Sequence, residues 1–181
     1  MKYLDFMIVK LLKDFKRDDL IFKKIRKTST GSRIIDVEGN ISFQTGWLKI
    51  LYDVDYNICV NTSDNTTNNT SDTTNNTTNI LAQIDEIVIN HSSNILDFTK
   101  QEIIKMYRPL LKQYDDSNCF RVSISSNTIL FDKNKNFYDK SEIKNILKQG
   151  HYVRFIFTFK KIYFKNHELT FPLELQQIEL A

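Results

Sequence analysis

The chain has 181 residues, 41% of them apolar, 12% aromatic and 26% charged, enough for one ordinary domain with a sizeable core. Four Gly and two Pro exclude a collagen-like or Pro-rich disordered chain, and a net charge of +3 decides little about partners. Cys59 and Cys119 stand in no paired spacing, so neither a disulfide framework nor a metal knuckle is indicated. Composition therefore describes a soluble globular protein of a reducing compartment.

At the N-terminus, Leu4, Met7, Ile8, Leu11, Leu12 and Phe15 recur at three- and four-residue spacing, which predicts an amphipathic helix, with a strand over 3–12 as the alternative. Asp5 and Lys10 interrupt the apolar run and no cleavage site follows, so it does not read as a signal peptide. No stretch approaches the roughly 18 apolar residues that a membrane span needs. The basic run Lys10 to Lys27 reads as a solvated face. Residues 32–37 and 41–45 are β-rich runs around Glu38-Gly39-Asn40, which predicts a hairpin, with Gly46 to Leu51 extending its second arm.

Residues 61–79 contain only Asn, Thr, Ser and Asp. With no apolar group to bury, nothing offsets the entropy of ordering them, so they read as a low-complexity loop inserted into a single domain, 1–181. Ile84 to Ile89 is a short strand or a helix start. Thr99 and Glu102 form a capping box for a helix that Pro109 ends near Arg108. Phe120, Val122 and Ile124 alternate with polar residues and, with Thr128 to Phe131, predict a second hairpin. Asp139, Glu142 and Gly150 bracket a compact helix. Three strands follow, at 152–159, 161–165 and 169–180. The fold class expected is α+β: a small antiparallel OB-like barrel with two or three helices.

Along 152–160, Val153, Phe155, Phe157 and Phe159 share one apolar face, while Tyr152, Arg154, Ile156, Thr158 and Lys160 share the other. If Lys160 and Lys161 straddle a turn, Tyr163 joins the Tyr152 and Arg154 surface. Rings beside cations on an open sheet suit single-stranded nucleic acid, where bases stack and phosphates follow the charge. An ordinary solvated β face has the same composition. Lys133, Lys135, Lys140, Lys144 and Lys148 add charge that matters only beside Arg154 and Lys161. Asp53-Val54-Asp55, Asp115-Asp116 and the scattered His91, His151 and His167 form no catalytic or metal-ligand pattern, and no nucleotide or nucleophile motif occurs. No cofactor and no catalysis are expected.

The run Phe120 to Asp132, the helix ending at Gly150, Tyr152-Val153-Arg154-Phe155-Ile156, Ile162-Tyr163-Phe164 and Leu175-Gln176-Gln177-Ile178 together resemble the OB-fold single-stranded DNA-binding proteins of large nucleocytoplasmic DNA viruses. Thr45-Gly46-Trp47-Leu48 is similar to a strand in the N-terminal half of the same group. The likeness covers 80–181 well and 32–58 loosely; it departs at the Asn/Thr insertion and at Glu168 to Pro172, where Pro172 implies an edge or a bulge. The resemblance implies sequence-independent binding of single-stranded DNA in viral replication, recombination or repair, located in host cytoplasm, viral factory or virion. Arg121, Arg154, Lys160, Lys161 and Lys165 would then meet phosphates, and Tyr152, Tyr163 and Trp47 would meet bases. RNA as ligand and self-association stay open. The rival is a virion or virus-factory scaffold protein that uses the same fold for protein contacts.

Overall fold

The computed structural model describes residues 8–38, 41–54, 57–62, 74–114 and 117–181, which are mostly β with three α-helices. In chain order they are β1 (Ile8–Leu11), β2 (Ile21–Phe22), β3 (Arg26–Lys27), β4 (Arg33–Glu38), β5 (Ile41–Gln44), β6 (Leu48–Val54), β7 (Asn57–Asn61), α1 (Thr74–Leu96) and α2 (Lys100–Met106). Then come β8 (Tyr107–Arg108), β9 (Leu111–Tyr114), β10 (Ser117–Ser123), β11 (Ile129–Asp132), β12 (Phe137–Tyr138), α3 (Lys140–Ile146), β13 (Tyr152–Phe159), β14 (Lys161–Lys165), β15 (Glu168–Thr170) and β16 (Leu173–Leu180). No helix among the described residues is long and apolar enough to cross a membrane.

The larger sheet runs β12-β11-β16-β13-β6-β7-β10-β9, with β5 also on β13 and β1 on β5. The smaller runs β2-β4-β14-β15-β8, with β3 also on β4. Neither ladder returns on itself among the described residues, so the expected barrel is not what the pairings form.

Both predicted hairpins dissolve into wider pairings. β4 and β5 are strands as expected, but β4 pairs β14 while β5 pairs β1 and β13. The Gly39-Asn40 turn itself lies outside the described residues. Gly46 to Leu51 does not prolong β5; it leads into the separate strand β6, which pairs β7 and β13. β10 likewise pairs β7 and β9, whereas β11 lies parallel to β16. Burial supplies the reason: Ile34 and Ile35 point to opposite faces of β4 and both are buried, so that strand needs cover on two sides.

The chain therefore crosses between sheets repeatedly. It passes from the smaller to the larger between Glu38 and Ile41, at Pro109 and at Pro172, and goes the other way between β1 and β2, between β7 and β8 and at Lys160. Val37 N–H donates to the Lys160 carbonyl at 2.7 Å, tying two of these corners together. Proline cannot donate to a ladder, which is why the expected single strand over 169–180 breaks into β15 and β16 at Phe171-Pro172. The chain's two prolines thus mark two places where strands leave one sheet for the other.

The N-terminal helix expectation also yields to a strand. β1 pairs in parallel with β5, and only Leu12, in the 3-10 turn that follows, is buried deeply. Residues 4–7 of that expectation lie outside the described residues. The insertion is not loop throughout. Asn61 closes β7, and 74–79 form the first turns of α1, whose buried Leu81, Ile84, Val88 and Leu96 follow helical spacing. Thr78 Oγ1 hydrogen-bonds the Thr62 carbonyl at 3.0 Å, joining the two ends of the insertion; residues 63–73 lie outside the described residues. Ile84 to Ile89, read as a strand or a helix start, sits mid-helix. The capping boxes hold as expected: Thr99 N–H donates to Glu102 at 2.8 Å and Asp139 N–H to Glu142 at 2.8 Å.

Candidate nucleic-acid interface

β13 carries the apolar face that its alternation predicts: Val153, Phe155, Phe157 and Phe159 are all buried. The opposite face is not an open platform. A bulge between Ile156 and Phe157 shifts the register, Thr158 is buried with its hydroxyl on the Ile41 carbonyl at 2.9 Å, and β5 pairs with the edge of β13 there. Tyr152 is half-buried opposite Lys49. Arg154 donates to Glu179 at 2.5 Å and lies 5.0 Å from the Trp47 ring centroid. Trp47, 36% exposed, and Arg154 line a pocket of about 180 Å³ with Lys13, Thr45 and Thr77. Arg154 of this cluster and Lys160, just past the end of β13, are six residues apart, about 20 Å at roughly 3.3 Å per residue.

Tyr163 does not join that cluster, because β14 belongs to the smaller sheet. Cross-strand register instead sets one row across five strands, Arg26, Ile34, Tyr163, Thr170 and Arg108, directly opposed in turn and so on one face. Lys161 and Lys165 flank Tyr163 on β14 and share its face. Tyr163 is 37% exposed.

Two grooves meet beside this row. One, about 460 Å³, is lined by Lys160, Lys161, Tyr163, Glu174 and the Ser123–Ser125 rim. The other, about 330 Å³, is lined by Arg108, Lys112, Arg121 and Thr170. Ser123, Pro172 and Leu173 line both, so the two adjoin over the corner where β15 becomes β16 and together make a trough. Pro109 lies at its far end. Buried Asp85 of α1 fixes that end, accepting from the Tyr107 hydroxyl at 2.6 Å and from Leu110 N–H at 3.0 Å. Burial holds the Asp85 carboxyl above its usual range and pushes the Tyr107 phenol up.

Charge is distributed unevenly along the trough. Arg26 is held bidentately by Asp36 at 2.8 and 3.3 Å, Arg108 by Glu168 at 2.5 and 2.8 Å, and Lys160 by Glu174 at 2.5 Å. The hydrogen bond from Arg26 keeps the Asp36 carboxyl below its usual range. Lys112, Arg121, Lys161 and Lys165 have no carboxylate within 4 Å among the described residues.

Of the residues singled out from sequence, Lys160, Lys161 and Tyr163 line one half of this trough and Arg121 the other, with Lys165 on the same face of β14. Tyr152, Arg154 and Trp47 lie elsewhere. Arg26, Arg108 and Lys112 were missed; Lys112-Gln113-Tyr114 alternates as a strand does, but the pairing of β9 with β10 that places it has no local signal. Within the basic N-terminal run, Lys10 pairs Asp19 at 2.5 Å and Lys23 pairs Glu38 at 3.5 Å, so Arg26 alone among these three reaches the row. Lys135 lies 3.9 Å from Glu179, beside Arg154, and 4.8 Å from the Phe131 centroid. The side chains of Lys140 and Lys144 and the carboxylates of Asp53, Asp55, Asp115 and Asp116 lie outside the described residues. No group of three His, Cys, Asp or Glu that could hold a metal occurs among the described residues. His91 stacks on Phe22 at 4.1 Å, and Cys59 and Cys119 are buried free thiols.

No family model and no curated protein sequence matches the chain. Among solved structures it is similar to the single-stranded DNA-binding protein from bacteriophage Enc34, at 13% identity over 89% of this chain and 88% of that one, with a TM-score of 0.49. The same phage protein in complex with ssDNA is 10% identical over 91% and 96%, TM-score 0.49. Its C-terminal truncation is 11% identical over 92% and 96%, TM-score 0.47. Scores below 0.5 at these identities carry no weight for ligand or residue roles, which rest on the trough itself.

Proposed function

We propose that this chain is a non-catalytic, sequence-independent single-stranded DNA-binding protein and that the strand lies in the trough beside Tyr163. The carrying observation is that Lys112, Arg121 and Lys161 line the trough without an ion pair within 4 Å among the described residues, and that a partly exposed ring, Tyr163, stands there with Lys165 on its face of β14. Cations alone would hold duplex as well as single strands. A tyrosine face is useful only to a base that is not already stacked between two others, and that favours a single strand. The cations of Arg26, Arg108 and Lys160 are largely neutralised, so they add little to phosphate attraction. The setting we propose, viral DNA replication, recombination or repair in factory, virion or host cytoplasm, rests on the sequence resemblance, as does reading 1–181 as one OB-like domain.

Fluorescence anisotropy with labelled oligo-dT tests this. Four unpartnered cations imply a log–log salt slope of about −3, roughly −0.7 for each phosphate contact. Duplex of the same length should bind more weakly, and an RNA oligomer shows whether the sugar matters. No binding at about 50 mM salt, where such contacts are strongest, would favour the scaffold reading instead.

A further inference from the structure

Beyond Lys112 the trough does not end in plain solvent. Side chains two apart on a strand share a face, so Tyr114 stands on the face that Lys112 presents to the trough. Tyr52 opposes Cys59, and Cys59 opposes Arg121, which puts the Tyr52 ring on the same face. The two rings meet with centroids 5.1 Å apart at 52°, and Tyr114 is 50% exposed. The opposite face of this part of the sheet carries Ile58, Val60, Phe120 and Val122, all buried in the core, so the tyrosines lie on the other side. Hydrogen bonding to Cys59, together with burial, pushes the Tyr52 phenol up to about 12. Tyr52 is half-buried, while Tyr114 leans on it with half its surface free.

We infer that Tyr114, backed by Tyr52, is a second base-stacking position, and that one strand runs from Tyr163 past Arg121 and Lys112 to reach it. This rests on the trough being the single-strand site. The arrangement of the two positions supports it: each is a tyrosine beside cations that form no ion pair within 4 Å among the described residues, and the grooves between them adjoin at Ser123, Pro172 and Leu173. A second position of this kind makes affinity depend on strand length. A short oligomer occupies the Tyr163 end, and a longer one gains the Tyr114 ring as well.

The test compares Tyr114→Ala, Tyr114→Trp and Tyr163→Ala on oligo-dT of about 6 and about 20 nucleotides, lengths that bracket a one-fold footprint. Tyr114→Ala should weaken binding of the long oligomer about tenfold, the loss of one stacked base, and leave the short one within twofold. Tyr114→Trp should restore the long-oligomer affinity, because it keeps a π-face. Tyr163→Ala should weaken both. If Tyr114→Ala binds both lengths as the parent does, or lowers only the melting temperature, the ring is a lid over Cys59 and Cys119 and the inference fails while the trough stands. If the parent binds neither oligomer, both fall together.

Discussion

Two regions of this molecule pair aromatic rings with cations, and they differ in what the cations already hold. At Trp47, Arg154 is sandwiched between the indole and Glu179, a carboxylate only 12% exposed. In the trough, Lys112, Arg121 and Lys161 form no ion pair within 4 Å among the described residues, although Lys161 lies opposite Asp36 and its charge reaches that carboxyl. Residue types are nearly the same in both places; the difference is electrostatic. An arginine committed to a shielded carboxylate is part of the fold, since opening it for phosphate would strand the buried acid. A lysine with no partner loses only its counterions when a phosphate arrives.

Charge reversal breaks the comparison most sharply. Replacing Arg121 and Lys161 together by Glu should cut oligo-dT affinity by about 100-fold or more at moderate salt, since two attractions become repulsions. Arg154→Met should leave affinity within twofold, yet cost about 1–3 kcal/mol in urea unfolding, because among the described residues Glu179 then keeps only Lys135 at 3.9 Å. Equal loss of binding from both changes would mean that the Arg154 pair opens for ligand and that the regions are alike. Next in size, Tyr163→Ala should weaken binding about 5- to 50-fold with little change in melting temperature. Trp47 is the chain's single tryptophan, so its emission reports on the other region directly. It should stay unquenched when oligo-dT saturates the protein, and strong quenching would place the strand at Arg154.

The smallest effect should come from Asp36. Asp36→Asn frees Arg26 in the Tyr163 row and should tighten binding about two- to threefold, with a salt slope steeper by roughly 0.7. The same pair predicts an acid limb. The Asp36 carboxyl is depressed from its ordinary 3.8 by the Arg26 hydrogen bond, so its contribution to stability is complete above that pH and is lost as pH falls below it. Unfolding monitored between pH 5 and pH 2 should show a steeper acid loss of stability in the parent than in Asp36→Asn, which keeps only the limbs of other depressed carboxylates such as Glu102 and Asp132.

Alternation and capping depend on neighbours in sequence, and those features were legible. The buried face of β13 and the Thr99 and Asp139 helix starts follow from side-chain period and hydrogen-bonding groups, whereas Pro172, read as an edge or a bulge within one strand, in fact splits it in two. Length misled at α1. Its first turns are Thr and Asn, with little helix propensity, and packing of Leu81, Ile84 and Val88 together with the Thr78–Thr62 contact holds them. The strands on either side of Glu38 and of Lys160 were visible too, but their partners were not, because a strand's hydrogen-bonding edges are chemically alike whichever strand they meet.

The amino-acid order by itself determined which residues could stack on a base or meet a phosphate, and which strand faces had to be buried. Tertiary structure decided which of them share a surface. Lys161 stands near Arg121 because β14, β15 and β16 turn about Pro172, and Arg154 is withdrawn because β16 sets Glu179 opposite it. Register between distant strands fixes both outcomes, and register is settled by the burial of whole sheet faces rather than by any local run of residues.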